Sequence, residues 1–255
     1  MRVEDYLKGE TAAIEHCSTR ELCPIGALCG LARGGDGSTL FPAIVEVGRG
    51  EMLWTDLRFE HRVFVVRSGI FVCMVHGEQG EEIPFSLFGS GIGIGLAELY
   101  IPREASNMYY LKAIIPGRVC SLPAKTLRHR LEAMPYPYPQ RVLGRSLANQ
   151  SAASLTQSKI VARQPLYDRI VMLLLCIREL AARGGQNLTT VNLTHSDIAT
   201  LVVSDRVSTT RVLHKIQEDG LIDLGYKSVR LNPAIDERKD LLSEARSVFY
   251  RTEEV

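Results

Sequence analysis

Three cysteines fall within thirteen positions near the start of the 255-residue chain: Cys17, Cys23 and Cys29, spaced C-x5-C-x5-C. A thiolate is both a soft metal ligand and a redox-active nucleophile, so such a group points to metal or cluster binding or to thiol–disulfide exchange. Polar residues flank them, and Pro24, Gly26 and Gly30 suit a loop that wraps a bound group. Zinc fits less well, because regular zinc sites favour C-x2-4-C spacing. Cys120 lies far along the chain in Gly117-Arg118-Val119-Cys120-Ser121-Leu122-Pro123 and, taken alone, reads as a core residue. Cys73 and Cys176 stand inside apolar runs and are core thiols. Lone histidines such as His16 and His61 make weak haem ligands.

A second set of chemically useful side chains lies in 193–222, LTHSDIATLVVSDRVSTTRVLHKIQEDGLI. Thr194 and Asp197 form a helix-start signal, and Ile198, Leu201 and Val202 line one face of the helix that follows. Asp205 caps a second helix, which turns Val212, Leu213 and Ile216 to one side and Arg206, Thr210 and Lys215 elsewhere, and which ends at Gly220. Two helices joined by so short a turn must cross steeply, which lets the first turn of the second enter a major groove. The segments around Gly225 read as a two-stranded wing. A winged helix-turn-helix results.

From Ile198 to Ile222 the chain resembles, without a gap, the DNA-binding domain of the cyclic-AMP receptor protein and FNR family of bacterial transcription regulators. The shared core is Asp205-Arg206-Val207-Ser208-Thr209-Thr210-Arg211-Val212-Leu213. The resemblance implies double-stranded DNA as partner, a homodimer, contact with RNA polymerase, and Arg206, Val207, Ser208, Thr210 and Arg211 as DNA-binding residues. Val207 replaces a glutamate common in the family, so the target site is expected to differ, and Val203 replaces the turn glycine. The resemblance also implies an α+β fold: a cysteine-containing leader (1–39), a jelly-roll β-barrel sensor domain (40–135), a long dimerisation helix (136–164), the winged helix-turn-helix (165–235) and a C-terminal tail (236–255).

The residues upstream fit that plan. Short apolar runs cut by glycines, Arg62-Val63-Phe64-Val65-Val66 and Ile70-Phe71-Val72-Cys73-Met74-Val75, read as strands joined by turns at Arg67-Ser68-Gly69 and Glu78-Gln79-Gly80. Prolines around 137 and at 165 mark two helix starts, the first helix running to about Arg163 and the second to Arg183. The dimer seam is expected along Ala148, Ala152, Leu155, Lys159 and Ala162. The family's cyclic-nucleotide grip is altered: Gly95-Leu96-Ala97-Glu98 displaces its acid, and Arg103 is followed by Glu104, which would repel a phosphate.

Within the same family, the oxygen sensors of the FNR type share the cysteine plan. Cys17 to Cys23 resembles their C-S-x-x-x-L-C, and Val119 to Pro123 their V-C-x-I-P. The implied cofactor is a 4Fe-4S cluster on Cys17, Cys23, Cys29 and Cys120, with Cys29 standing in for a ligand that the family places before Cys17. The alternatives are gating by a small organic effector in the barrel or by thiol–disulfide exchange.

The chain is 45% hydrophobic and 23% charged with net charge +1, enough to bury one or two cores and no pointer to an acidic or membrane partner. No apolar run reaches a membrane span, and the first residues lack a secretory core, so a cytoplasmic protein is expected. Residues 185–255 hold nine Lys or Arg against eleven Asp or Glu, so the motif, not net charge, carries the DNA assignment. No nucleophile–base–acid set appears, and the chain is not read as an enzyme. Gly89-Ser90-Gly91-Ile92-Gly93-Ile94-Gly95 lacks the strand–loop–helix context of a dinucleotide site and reads as a tight barrel corner.

Overall fold

Nearly continuous apolar runs rich in Val, Ile and Phe dominate the first half of the chain, and they form one antiparallel sheet whose central strand is buried on both faces. In the computed structural model, which describes residues 17, 21–26, 28–29, 42–54, 62–96, 99–100 and 109–250, the sheet contains β1 (Ala43–Val47), β2 (Met52–Trp54), β3 (Arg62–His76), β4 (Glu82–Phe88), β5 (Gly93–Ile94) and β6 (Tyr109–Pro123). Its order is β1-β6-β3-β4, with β2 also on β6 and β5 also on β3. The leader before Cys17, the candidate haem ligands His16 and His61, and Ala97, Glu98, Arg103 and Glu104 lie outside the described residues.

Three apolar layers divide the work. Phe64, Val66, Phe71, Phe88, Ile92 and Val119 fill the inside of the roll. Val63, Val65 and Leu122 face the other way and pack with Ile25 and Leu28 and with α1 (Ala124–Glu132), through Leu127 and Leu131. Ile70, Val72, Met74, Leu87 and Ile114 meet the C-terminal half of the chain.

The expected turn at Arg67-Ser68-Gly69 is not a turn. Strand β3 runs unbroken through it for 15 residues, and the pairing with β6 steps from Val66↔Val119 to Ser68↔Arg118, leaving Arg67 as an extra residue in a bulge. Gly69 has φ +86, and a Cβ there would lie 2.6 Å from the Gly117 Cα, so the two strands approach more closely than side chains allow.

Helix α2 (Tyr138–Ala162) and helix α3 (Leu166–Arg183) follow, with Pro139 in the first turn of one and Pro165 just ahead of the other. Residues 170–177 of α3 are fully buried on all sides. A helix that is apolar all round must be covered all round, and α3 is wedged between the roll and the C-terminal helices. Next come β7 (Thr190–Val191), α4 (His195–Leu201), α5 (Arg206–Glu218), β8 (Ile222–Gly225) and β9 (Ser228–Leu231), the strands ordered β7-β9-β8. The tail contains a helix, α6 (Lys239–Tyr250), that buries Leu241, Leu242 and Ala245 against α3 and α2.

Candidate functional site

The two short helices form where their caps dictate. Thr194 Oγ1 accepts from the Asp197 backbone N–H at 3.0 Å while Asp197 accepts from the Thr194 backbone N–H at 2.8 Å, a reciprocal capping box. Asp205 accepts from the Ser208 backbone N–H at 2.8 Å and opens α5. Between them Val203 has φ +51, the left-handed conformation that a β-branched residue adopts at a cost. The turn is held from outside: Arg169 donates to the Val202 carbonyl at 2.9 Å, and Gln157 on α2 donates to the Leu201 carbonyl at 2.8 Å.

Thr209, Leu213 and Ile216 bury one side of α5 and leave Arg206, Val207 and Arg211 exposed on the opposite side, Val207 at 72%. These three present a continuous face to solvent. Ser208 is half-buried with its backbone N–H committed to the cap, and Thr210 is half-buried with its hydroxyl 3.1 Å from His195 Nδ1. His214, exposed one turn beyond Thr210 and edge-on to His195, belongs to the same face and was missed from sequence. A helical projection of 206, 207, 210, 211 and 214 would have found it. Burial, and then the positive charges of His214 and Arg206, hold His195 below the usual histidine range. The wing is braced by Arg230 against Asp223 across β8 and β9 at 2.5 Å, and it carries Tyr226 at its tip, 88% exposed.

This two-helix unit is docked on the rest of the chain. Arg49, in the β1–β2 turn, pairs with Asp197 at 2.6 Å. Burial alone would raise the Asp197 carboxyl, but the Thr194 bonds and the Arg49 guanidinium outweigh it and hold it below the usual aspartate range.

The second site is a small pocket lined by Cys17, Cys23, Cys29 and Cys120 together with Ile25, Gly26, Pro42, Ile44, Val65 and Arg67. Its floor is sheet: Ile44 on β1 and Val65 on β3 are the cross-strand partners of Cys120 on β6. Cys23, Ile25, Gly26 and Cys29 come from the segment 21–29, which is anchored by three contacts. Arg145 on α2 donates to the Glu21 carbonyl at 2.8 Å. Leu22 and Pro24 rest on Gly91 and Gly93, where an added Cβ would come within 2.5 Å and 3.1 Å of them. The Gly93 carbonyl accepts in turn from Gln150 on α2 at 3.0 Å. The glycine run is therefore more than a barrel corner: it is the seat of the cysteine segment and its link to the long helix.

Burial, then the charge of a neighbouring Cys29 thiolate, push the Cys23 thiol up, against the lowering effect of a backbone hydrogen bond at Ile25; Cys120 and Cys17 push it further. Such a thiol gives up its proton when a bound cation compensates for the buried charge. The cysteine donors are all soft sulfur, the chemistry that iron and its sulfide clusters select, and Arg67 is the charged residue of the wall around them. Among the described residues no three His, Cys, Asp or Glu side chains are gathered closely enough to hold a metal ion, so the thiols share one cavity without converging on a common centre. Cys73 and Cys176 are buried elsewhere, in the roll and in α3.

A sheet roll and a long helix thus precede a winged helix-turn-helix with two exposed arginines on its second helix, the element that such domains place in a major groove. Residues 168–234 match the Crp-like helix-turn-helix domain. The chain is similar to the global nitrogen regulators of Synechocystis sp. PCC 6803, 23% identical over 77% of this chain and 88% of the relative, and of Synechococcus elongatus PCC 7942, 25% identical over 77% and 90%. In fold it is similar to a CRP-family transcriptional regulator from Thermus thermophilus, with TM-score 0.60 and 21% identity over 80% of this chain and 95% of that one. FixK2 from Bradyrhizobium japonicum has TM-score 0.59 and 14% identity over 82% and 98%. Among the described residues no helix is long and apolar enough to cross a membrane.

Proposed function

We propose that this regulator binds specific double-stranded DNA as a homodimer and that an iron–sulfur cluster of the 4Fe-4S type, held by Cys17, Cys23, Cys29 and Cys120, gates that binding. The observation that carries the reading is the shared pocket: four thiols from the segment 17–29 and from β6 line it, beside apolar residues and Arg67. Bound there, a cluster would supply sensitivity to oxygen or redox state. The protein's own residues supply the rest. Cys120 fixes one corner on a rigid sheet, and the segment 21–29 closes over it, held by Gly91, Gly93 and Arg145. Loss of the bound group would free that segment and withdraw the Arg145 and Gly93 contacts from α2.

Helix α2 is the dimer element in this reading. Its outward stripe is Gly144, Leu147, Ser151, Leu155, Ser158 and Ala162, with Leu147 51% and Leu155 60% exposed. The seam expected from sequence shares Leu155 and Ala162 with this stripe, but Ala152 is half-buried on its flank because Ala153, Thr156 and Ile160 turn inward. Through this helix the two copies of α5 would be set about 34 Å apart for successive major grooves. RNA polymerase is the further partner that a regulator placed on a promoter would meet. Thiol–disulfide exchange is the second reading, favoured by the mutual proximity of Cys23 and Cys29.

The test is iron and acid-labile sulfide per chain in protein purified without oxygen. Serine in place of any of Cys17, Cys23, Cys29 or Cys120 is expected to abolish loading, while Cys73→Ser and Cys176→Ser leave it intact. A colourless wild-type protein with reactive thiols would overturn the cluster reading.

A further inference from the structure

We propose that His195 and His214 form a proton-dependent site for a backbone phosphate of DNA, so that the protein takes up protons when it binds; the inference rests on the DNA-binding reading above. The two imidazoles come from different helices. His195 opens α4 and His214 lies on α5, yet their ring centroids are 6.3 Å apart and the rings stand edge-on at 84°. His195 Nδ1 lies 3.1 Å from the Thr210 hydroxyl, which ties its ring to α5 and leaves Nε2 as the nitrogen to meet an outside group.

Their placement selects phosphate over bases. On α5, Val207, Arg211 and His214 are exposed opposite the buried Thr209, Leu213 and Ile216, and Thr210 lies on the flank that meets α4. In a helix-turn-helix the second helix enters the groove and the first crosses the sugar–phosphate backbone. A half-buried side chain in the first turn of α4, set against the flank of α5, therefore sits at the rim of the groove. Groups at the rim meet phosphate oxygens, which accept from either N–H of an imidazolium.

A histidine placed here holds its charge only when something compensates for it. Burial first, and then the positive charges of His214 and Arg206, favour the neutral His195 ring in the free protein. Arg211 adds a further cation one turn before His214. The acids on the same two helices and their caps are engaged elsewhere: Asp197 with Thr194 and Arg49, Asp205 with the Ser208 backbone N–H, and Glu218 and Asp219 with Lys215. A phosphate brought to this face reverses the balance. It neutralises the cations that oppose protonation and accepts from the imidazolium, so the pair holds protons more tightly in the complex. By linkage, affinity for DNA rises as pH falls through the range in which the pair titrates.

The experiment measures the affinity of full-length protein for a random-sequence duplex at about pH 6 and about pH 8, at several salt concentrations, for wild type, His195→Gln, His214→Gln and the double variant. Wild type is expected to bind about tenfold more tightly at the lower pH, the ratio that a one-unit change in the proton affinity of one histidine supplies. The double variant should lose most of that ratio. In wild type the slope of log affinity against log salt should steepen at the lower pH by about 0.9 for each phosphate gained, and in the double variant it should not change. His214 is exposed, so if His195→Gln disturbs the contact between α4 and α5, His214→Gln alone decides: a reduced ratio supports the site, and the wild-type ratio contradicts it. A double variant with the wild-type ratio overturns the proposal. So does a ratio found on a duplex selected by the protein and absent on the random one, because the contact would then be to bases. Wild type that binds neither duplex at either pH overturns the DNA-binding reading and this inference with it, an outcome distinct from binding that ignores pH.

Discussion

Replacing Gly91 with alanine should dislodge the cysteine segment without touching a cysteine. Gly91 has φ +84, and a Cβ placed there would lie 2.5 Å from Leu22 Cβ and 2.9 Å from the Leu22 carbonyl oxygen. Two costs follow. The left-handed backbone costs an alanine about 1–2 kcal/mol, partly offset by the about 0.4–1 kcal/mol that alanine removes from unfolded-chain entropy. The contact is about 1 Å inside normal carbon–carbon separation, and overpacking of this kind costs about 1–3 kcal/mol. Gly80 provides the control: its φ is +82 and a Cβ there meets nothing within 4 Å, so Gly80→Ala carries the backbone cost alone. At about 2–4 °C per kcal/mol for a chain of this size, Gly91→Ala should melt several degrees below Gly80→Ala. It should also load distinctly less iron when reconstituted. Equal melting temperatures together with equal loading would refute the view that the glycine run seats the cysteine segment.

Three further expectations concern the DNA face, the docking contact and the dimer. Arg211→Ala should lose about 1–3 kcal/mol on a duplex selected by the protein from a random pool and far less on bulk DNA, measured by titration at fixed salt; equal losses would assign Arg211 to phosphate alone. Asp197→Asn keeps the cap and removes the Arg49 partner. Because the folded Asp197 carboxyl is held below its ordinary value of about 3.9, its contribution is present above that pH and is lost only as pH falls through the lower folded value, so the stability gap between variant and wild type should be constant from pH 7 to pH 5. A gap that closes within that range would contradict the assignment. Leu155→Glu, on the exposed stripe of α2, should shift sedimentation from dimer to monomer, whereas an unchanged dimer would place the interface elsewhere.

Local signals made much of the chain legible. Caps need only the residues within one helical turn, so Thr194, Asp197 and Asp205 declare both helices of the DNA domain, and Pro165 declares the break between α2 and α3. The outward side of α5 follows from periodicity, although Thr210 turned toward His195 and His214 was overlooked. What was not legible depends on partners distant in sequence. The segment 67–69 has the composition of a turn, and only the approach of Gly117, across a strand pair, makes it a bulge. The role of Gly91 and Gly93 required knowing where Leu22 and Pro24 come to rest, and the Arg49–Asp197 pair spans 148 positions. Cys120 read alone as a core residue because its strand is apolar on both sides; its register beside Ile44 and Val65 is what brings it to the pocket.

The central claim is that the state of the four-thiol pocket governs DNA binding. The most direct measurement is the affinity of cluster-loaded protein for its selected duplex, at one salt concentration without oxygen, before and after the cluster is removed by air. The account predicts at least a tenfold change in affinity, and it predicts that Cys120→Ser, assayed without oxygen, already binds as the air-exposed wild type does. Identical affinities for loaded and stripped protein would contradict it.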